Sequence, residues 1–142
     1  MTYFYSAVNS LIGKKLYGDG NCALMVQHYA KLPHSSMWRA GAPVLEQKNI
    51  WPGTAIATFE NGRYPNHAHN NHVAFFLKFG QANPDGTWKT FFIVEQFKGH
   101  GRQPGSKRIV TRELKALGKL DARYGDRWEN PSNNAAAFSI IE

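Results

Sequence analysis

The stretch YGDGNCALMVQHYA, Tyr17 to Ala30, carries Cys22, the only cysteine of a 142-residue chain, directly after Gly18, Gly20 and Asn21. From Cys22 to Leu32 there is neither Gly nor Pro, and Cys22, Met25, Val26 and Tyr29 recur at the i, i+3, i+4, i+7 spacing of one helical stripe. Asp19 or Asn21 can cap the start and Pro33 ends the run, so the spacing predicts a helix with Cys22 in its first turn. A thiol in that position faces unpaired backbone N–H groups and the positive end of the helix dipole, and both favour the thiolate. A lone cysteine can equally be a small core hydrophobe. Its company elsewhere in the chain decides between the two.

Downstream the period changes from that of a helix to that of strands. TAIATF (Thr54 to Phe59) alternates and is rich in β-branched residues; ENGRYPNHAHNN reads as loop, with Asn61-Gly62 as a turn. HVAFFLKF (His72 to Phe79) reads as a strand buried on both faces, NPDG (Asn83 to Gly86) as a turn, TWKTFFIVEQF as the returning strand, and the segment near Phe138 to Ile141 as a further strand. Pro33 to Ile50 is loop-rich, and KRIVTRELKALGK is basic with a helix-like tail. A helix followed by an antiparallel meander predicts an α+β fold, the cysteine-bearing helix packed on a central antiparallel sheet, in a single domain over residues 1–142.

If NPDG closes the hairpin with Asn83 opposite Gly86, Glu95 lies across from Ala74 and Gln96 across from Val73. Residues opposed across a ladder share a face, as do residues two apart on one strand, so His72 and Glu95 point to the same side as diagonal neighbours. A single bulge would exchange Glu95 for Gln96. A cysteine nucleophile needs a base within hydrogen-bond reach and a third group to orient that base. Cys22, His72 and Glu95 are accordingly the candidate catalytic set, with Gln96 in reserve. The backbone N–H of Cys22 is a first oxyanion donor, and Tyr17, Asn21 and Gln96 are candidates for a second donor or for holding substrate.

The order GDGNCALMVQHYA, WPGTAIATF, NNHVAFF, FFIVEQF resembles the NlpC-type and CHAP amidase superfamily, small papain-like cysteine peptidases, and within it the peptidoglycan amidase effectors of type VI secretion systems. The resemblance covers roughly residues 15 to 100, and NNAAAFSIIE is similar to the family's last strand. It implies a papain-like fold, catalytic roles for Cys22, His72 and Glu95, a substrate amide in the peptide of peptidoglycan, and a cognate immunity protein as partner. It implies no cofactor. Phe97 departs from the pattern, because CHAP-type sequences often carry Asn just after the EQ pair.

Composition frames these expectations. One cysteine rules out an internal disulfide, and no run of eighteen apolar residues or signal-like start is present. The reading is therefore a protein made in the cytoplasm without a signal peptide and with no membrane partner; secretion into the periplasm of a target cell is what the resemblance to type VI effectors implies. Lys and Arg number 17 against 10 Asp and Glu, a net +7, with many of the cations between Lys98 and Arg127. That balance suits a polyanionic neighbour such as wall polymer. No nucleic-acid module accompanies it, so no nucleic-acid partner is expected, and a non-catalytic basic wall- or nucleic-acid-binding module is a rival. A second rival is a zinc metallohydrolase built on His67, His69 and His72, whose H-x-H-x2-H spacing can ligate metal. The primary reading assigns no metal. GDGNCA also fits a dinucleotide fingerprint, but no buried strand precedes it and no parallel βαβ unit follows.

Overall fold

The computed structural model describes residues 2–65, 67–120, 123 and 127–142. Asn66 in the histidine-rich loop, and residues 121, 122 and 124–126 in the basic stretch, lie outside the described residues. Helix α1 (Cys22–Ala30) opens on Asn21, whose side-chain oxygen accepts the Ala23 N–H at 2.9 Å. It closes at Lys31, which sits in the left-handed region at φ 58° and returns its N–H to the Gln27 carbonyl, two residues before Pro33. Met25, Val26 and Ala30 are buried, and Cys22 and Tyr29 pack against the same cluster. The expected stripe is thus the face turned to the sheet.

That sheet has six strands, β1 (Ala40–Pro43), β2 (Ala55–Thr58), β3 (Val73–Phe79), β4 (Thr90–Glu95), β5 (Val110–Lys115) and β6 (Phe138–Ile141), in the spatial order β1-β6-β2-β3-β4-β5. Every pairing is antiparallel. From β2 to β4 the chain meanders as expected and β5 extends the meander; the C-terminal β6 then inserts between β1 and β2. One apolar cluster fills the α1 side, with Val73, Phe75, Val94 and Trp38, and a second fills the other side, with Ala74, Phe76, Ile93, Leu114 and Phe138. The sheet is therefore covered on both faces, which accounts for the near-continuous apolar runs in β2, β3 and β4. The Pro52-Gly53 turn is tied to the N-terminal segment: Tyr5 donates its N–H to the Gly53 carbonyl at 2.9 Å, and at φ 91° a Cβ on Gly53 would strike the Tyr5 carbonyl.

Two strands depart from the sequence reading. β5 lies where a helix-like tail was expected; its exposure alternates along Val110–Lys115, as a strand with one covered face requires. Val110, Thr111 and the pairing of all six residues with β4 outweigh the helical propensity of Arg-Glu-Leu-Lys. β1 lies inside the stretch read as loop: it is an edge strand with Gly41 and a terminal Pro43, residue types that edges tolerate and that conceal a strand in sequence.

The β3–β4 register explains how the hairpin argument succeeds. At the turn the Asn83 carbonyl accepts the Gly86 N–H at 3.0 Å, but the Asn83 N–H bonds the Thr87 carbonyl at 2.7 Å, so Thr87 rather than Gly86 closes the ladder and Gly86 takes φ 88° as the extra left-handed residue. A second irregularity falls between Phe76 and Lys78, after which Phe75 pairs Val94. The two one-residue offsets cancel. Glu95 consequently keeps the parity that a regular two-residue hairpin would have given it.

Candidate active site

His72 immediately precedes β3. Its N–H donates to Thr58 Oγ1 at 3.0 Å and its carbonyl accepts the Thr58 N–H at 3.0 Å, so the end of β2 fixes its backbone. Strand alternation turns the His72 ring, Glu95 and Arg112 to the face away from α1, beside Phe138, whose ring meets the imidazole edge-on at 6.4 Å. Cys22, at the start of α1 on the other face, lines the same cleft as His72, and the positive imidazole acts on the thiol.

His72 Nε2 and Glu95 Oε1 are 2.7 Å apart, both groups buried, which leaves Nδ1 as the ring nitrogen available to the thiol. Glu95 is 0 % exposed, and a carboxylate sealed from water must be matched by cations or lose its charge. Arg112 supplies the match: its Nε donates to Glu95 Oε2 at 2.8 Å and its Nη2 to Oε1 at 3.1 Å. The guanidinium is held in turn by the Ser132 carbonyl at 3.1 Å and by the Asn133 side-chain oxygen. Thiol, imidazole, carboxylate and guanidinium form one line of alternating charge.

The titration of each group follows from this line. For Cys22, burial pushes the thiol up, but the positive His72 ring, its hydrogen bond and the backbone N–H groups of Val73 and Ala23 outweigh burial, so the net shift is downward. For His72, burial opposes the charge, while Cys22 and Glu95 favour it and push the imidazole up to about 9. Burial likewise opposes ionisation of Glu95, and His72 and Arg112 reverse it, holding the carboxyl below its ordinary range. Thiolate and imidazolium therefore coexist. We expect iodoacetamide to alkylate Cys22 at pH values below the ordinary thiol pKa of about 8.5, whereas turnover falls above about pH 9 as His72 gives up the proton an amine leaving group needs. Alkylation measured in parallel stays high there, because it needs no proton donor. The raised His72 value also contributes stability that is complete below its ordinary 6.5 and lost as pH climbs through about 9.

These groups open into a cleft of about 1130 Å³ between the loops before α1, before β3 and after β4, with Cys22 half-buried on its wall. Asn21 lines the cleft, but Tyr17 and Gln96 do not. Gln96 is 0 % exposed and occupied otherwise: its Oε1 accepts the Tyr17 N–H at 2.7 Å and its Nε2 donates to the carbonyls of Tyr17 at 2.9 Å and Asn21 at 2.8 Å. The Tyr17 ring is stacked on His28 at 4.2 Å. The reserve role of Gln96 and the oxyanion roles of Tyr17 and Gln96 are thus corrected. Gln96 clamps the approach to the helix and so aims the first turn. Replacing it with Leu removes three hydrogen bonds and orphans the Tyr17 N–H, while the Tyr17 and Asn21 carbonyls keep the N–H groups of Gly20 and Leu24; at about 1 kcal/mol per net hydrogen bond we expect a loss of about 3 kcal/mol in a urea unfolding curve.

His67, His69 and His72 have separate partners. His67 Nε2 bonds Glu60 Oε2 at 3.1 Å, the His69 ring stacks on His100 at 4.1 Å, and His72 is committed to Glu95. Among the described residues no three His, Cys, Asp or Glu side chains converge on a point that could hold a metal ion. Sequence reasoning missed Arg112, Tyr64 and Asn71. Reading VTRELK as a strand beside FFIVE would have put Arg112 on the Glu95 face; nothing in the sequence signals the other two.

A thiol at the start of a helix, facing an imidazole at the head of a central antiparallel strand, defines this protein as a papain-like amidase. Its chain is 38% identical over 143 residues to the type VI secretion amidase effector 2 protein of Salmonella typhi, covering 100% of both, and superimposes on the structure of type 6 secretion amidase effector 2 (Tae2) with a TM-score of 0.81 at 35% identity, over 99% of this chain and 94% of that one. The family model of domesticated amidase effector 2 matches residues 3–94, and the chain belongs to this family.

Proposed function

We propose that the protein is an antibacterial type VI secretion effector, one amidase domain over residues 1–142, that hydrolyses an amide bond in the peptide of peptidoglycan. The observation that carries the mechanism is the buried His72–Glu95 pair at 2.7 Å in the cleft that Cys22 also lines. Cys22 thiolate attacks the amide carbonyl, His72 Nδ1 gives its proton to the departing amine, and the neutral imidazole then takes a proton from water as that water releases the acyl group. Glu95 fixes the ring and stabilises the imidazolium, and Arg112 keeps Glu95 ionised. The Cys22 N–H, in the first turn of α1, is one oxyanion donor.

The net +7 charge supports an anionic wall substrate, and the family resemblance supports a cognate immunity protein and action in the periplasm of a target cell. Among the described residues no helix is long and apolar enough to cross a membrane. The test is digestion of purified peptidoglycan followed by mass spectrometry: new amino and carboxyl termini in the stem peptides are expected, and muropeptides identical to the untreated control would overturn the substrate.

A further inference from the structure

Tyr64 follows the Glu60–Arg63 turn, where the two residues exchange backbone hydrogen bonds at 2.9 and 3.0 Å, and its ring packs on buried Trp38 at 4.9 Å. The body of the side chain is therefore fixed, and Tyr64 lines the same cleft as Cys22, both packed against one apolar cluster. Asn71, the residue before His72, donates its Nδ2 to Tyr64 Oη at 3.0 Å. A phenol oxygen engaged by that donor must send its own proton elsewhere. Opposite it is a sulfur that, as thiolate, has no proton to give and can only accept.

We propose that Tyr64 is the second oxyanion donor of the reaction and that Asn71 orients it. This rests on the reading of Cys22 as nucleophile. In the resting site the Tyr64 O–H donates to the sulfur. When the S–C bond forms, the carbonyl π pair moves onto oxygen, and the negative charge passes from sulfur to an atom bonded to the same carbon. Rotation about the phenol C–O bond lets the donor follow that charge while keeping its proton. Collapse restores the carbonyl and expels the amine, which takes its proton from His72. Burial and the Cys22 charge both hold the phenol proton in place, outweighing the Asn71 bond, so Tyr64 stays a donor across the working range.

Tyr64→Phe keeps the ring against Trp38 and removes only the hydroxyl. On soluble cross-linked muropeptides we expect kcat to fall about 10²- to 10³-fold, the usual cost of one oxyanion donor, with KM little changed. Alkylation of Cys22 by iodoacetamide, which builds no oxyanion, should stay within a few-fold of wild type. Asn71→Ala should lower kcat by a smaller factor in the same pattern. Near wild-type kcat in Tyr64→Phe overturns the proposal, and so does a parallel fall of turnover and alkylation, since the hydroxyl would then serve only the thiolate. Unchanged kcat in Asn71→Ala overturns the orienting role. Retained turnover in Cys22→Ala would instead overturn the nucleophile assignment, an outcome separate from every Tyr64 result.

Discussion

Cys22→Ala should abolish turnover on peptidoglycan, a loss on the order of 10⁵-fold or more, as expected when a nucleophile is removed from a catalytic unit. The fold should survive it. Cys22 is half-buried in the first turn of α1, where its first-turn neighbours Asn21 and Ala23 make the capping bond without it, and the Met25 and Val26 contacts that seat the helix are untouched. Removing the thiolate also removes the charge that helps to raise His72, so the imidazole should titrate lower in the variant. The checks are muropeptide release, a thermal melt and an NMR titration of His72. Substantial hydrolysis by Cys22→Ala would end the case for a thiol enzyme.

Glu95→Gln is the second large effect, and it strikes both stability and chemistry. The amide keeps the shape but presents an N–H₂ group and no charge to His72 and Arg112, both of which now donate to the carboxylate. Breaking a buried ion pair by removing one partner costs about 3–5 kcal/mol; Arg112 is 34% exposed at its side chain and can turn toward water, so about 3 kcal/mol is the expected loss in denaturant unfolding. The imidazole loses the partner that selects its tautomer, and by analogy with other triads whose acid is made an amide, kcat should fall by about 10³- to 10⁴-fold. The upper pH limit of activity, set near 9 by His72, should move down. A variant with an unchanged pH profile and near-normal kcat would remove Glu95 from the catalytic set.

Much of the fold was legible because local patterns and packing agree. The α1 stripe of Met25 and Val26, the Asn21 cap and the stop before Pro33 follow from spacing and residue type, as do the apolar runs of β2, β3 and β4. β1 was hidden by Gly41 and Pro43, whose pairing to β6 depends on a segment about a hundred residues away. β5 was hidden by good helix formers that only the ladder with β4 overrides. For the candidate site, the placement of Cys22 at a helix start and of His72 beside Glu95 was legible, since a helix start and strand parity are properties of nearby residues. The parity of Glu95 held only because two irregularities, at Gly86 and between Phe76 and Lys78, offset each other.

By itself, then, the sequence determined where the chain forms its helix and central strands, and that Cys22 heads the one while His72 heads a strand of the other. Tertiary structure decided which groups surround them. Gln96 turned inward to hold the backbone of Tyr17 and Asn21, Arg112 came from β5 to keep Glu95 charged, and Tyr64 and Asn71 came from an irregular loop to the cleft that Cys22 lines. The physical reason is range: periodicity and capping act over a few residues, whereas a buried charge or a directed hydroxyl is satisfied by whichever distant segment the packed sheet brings within about 3 Å.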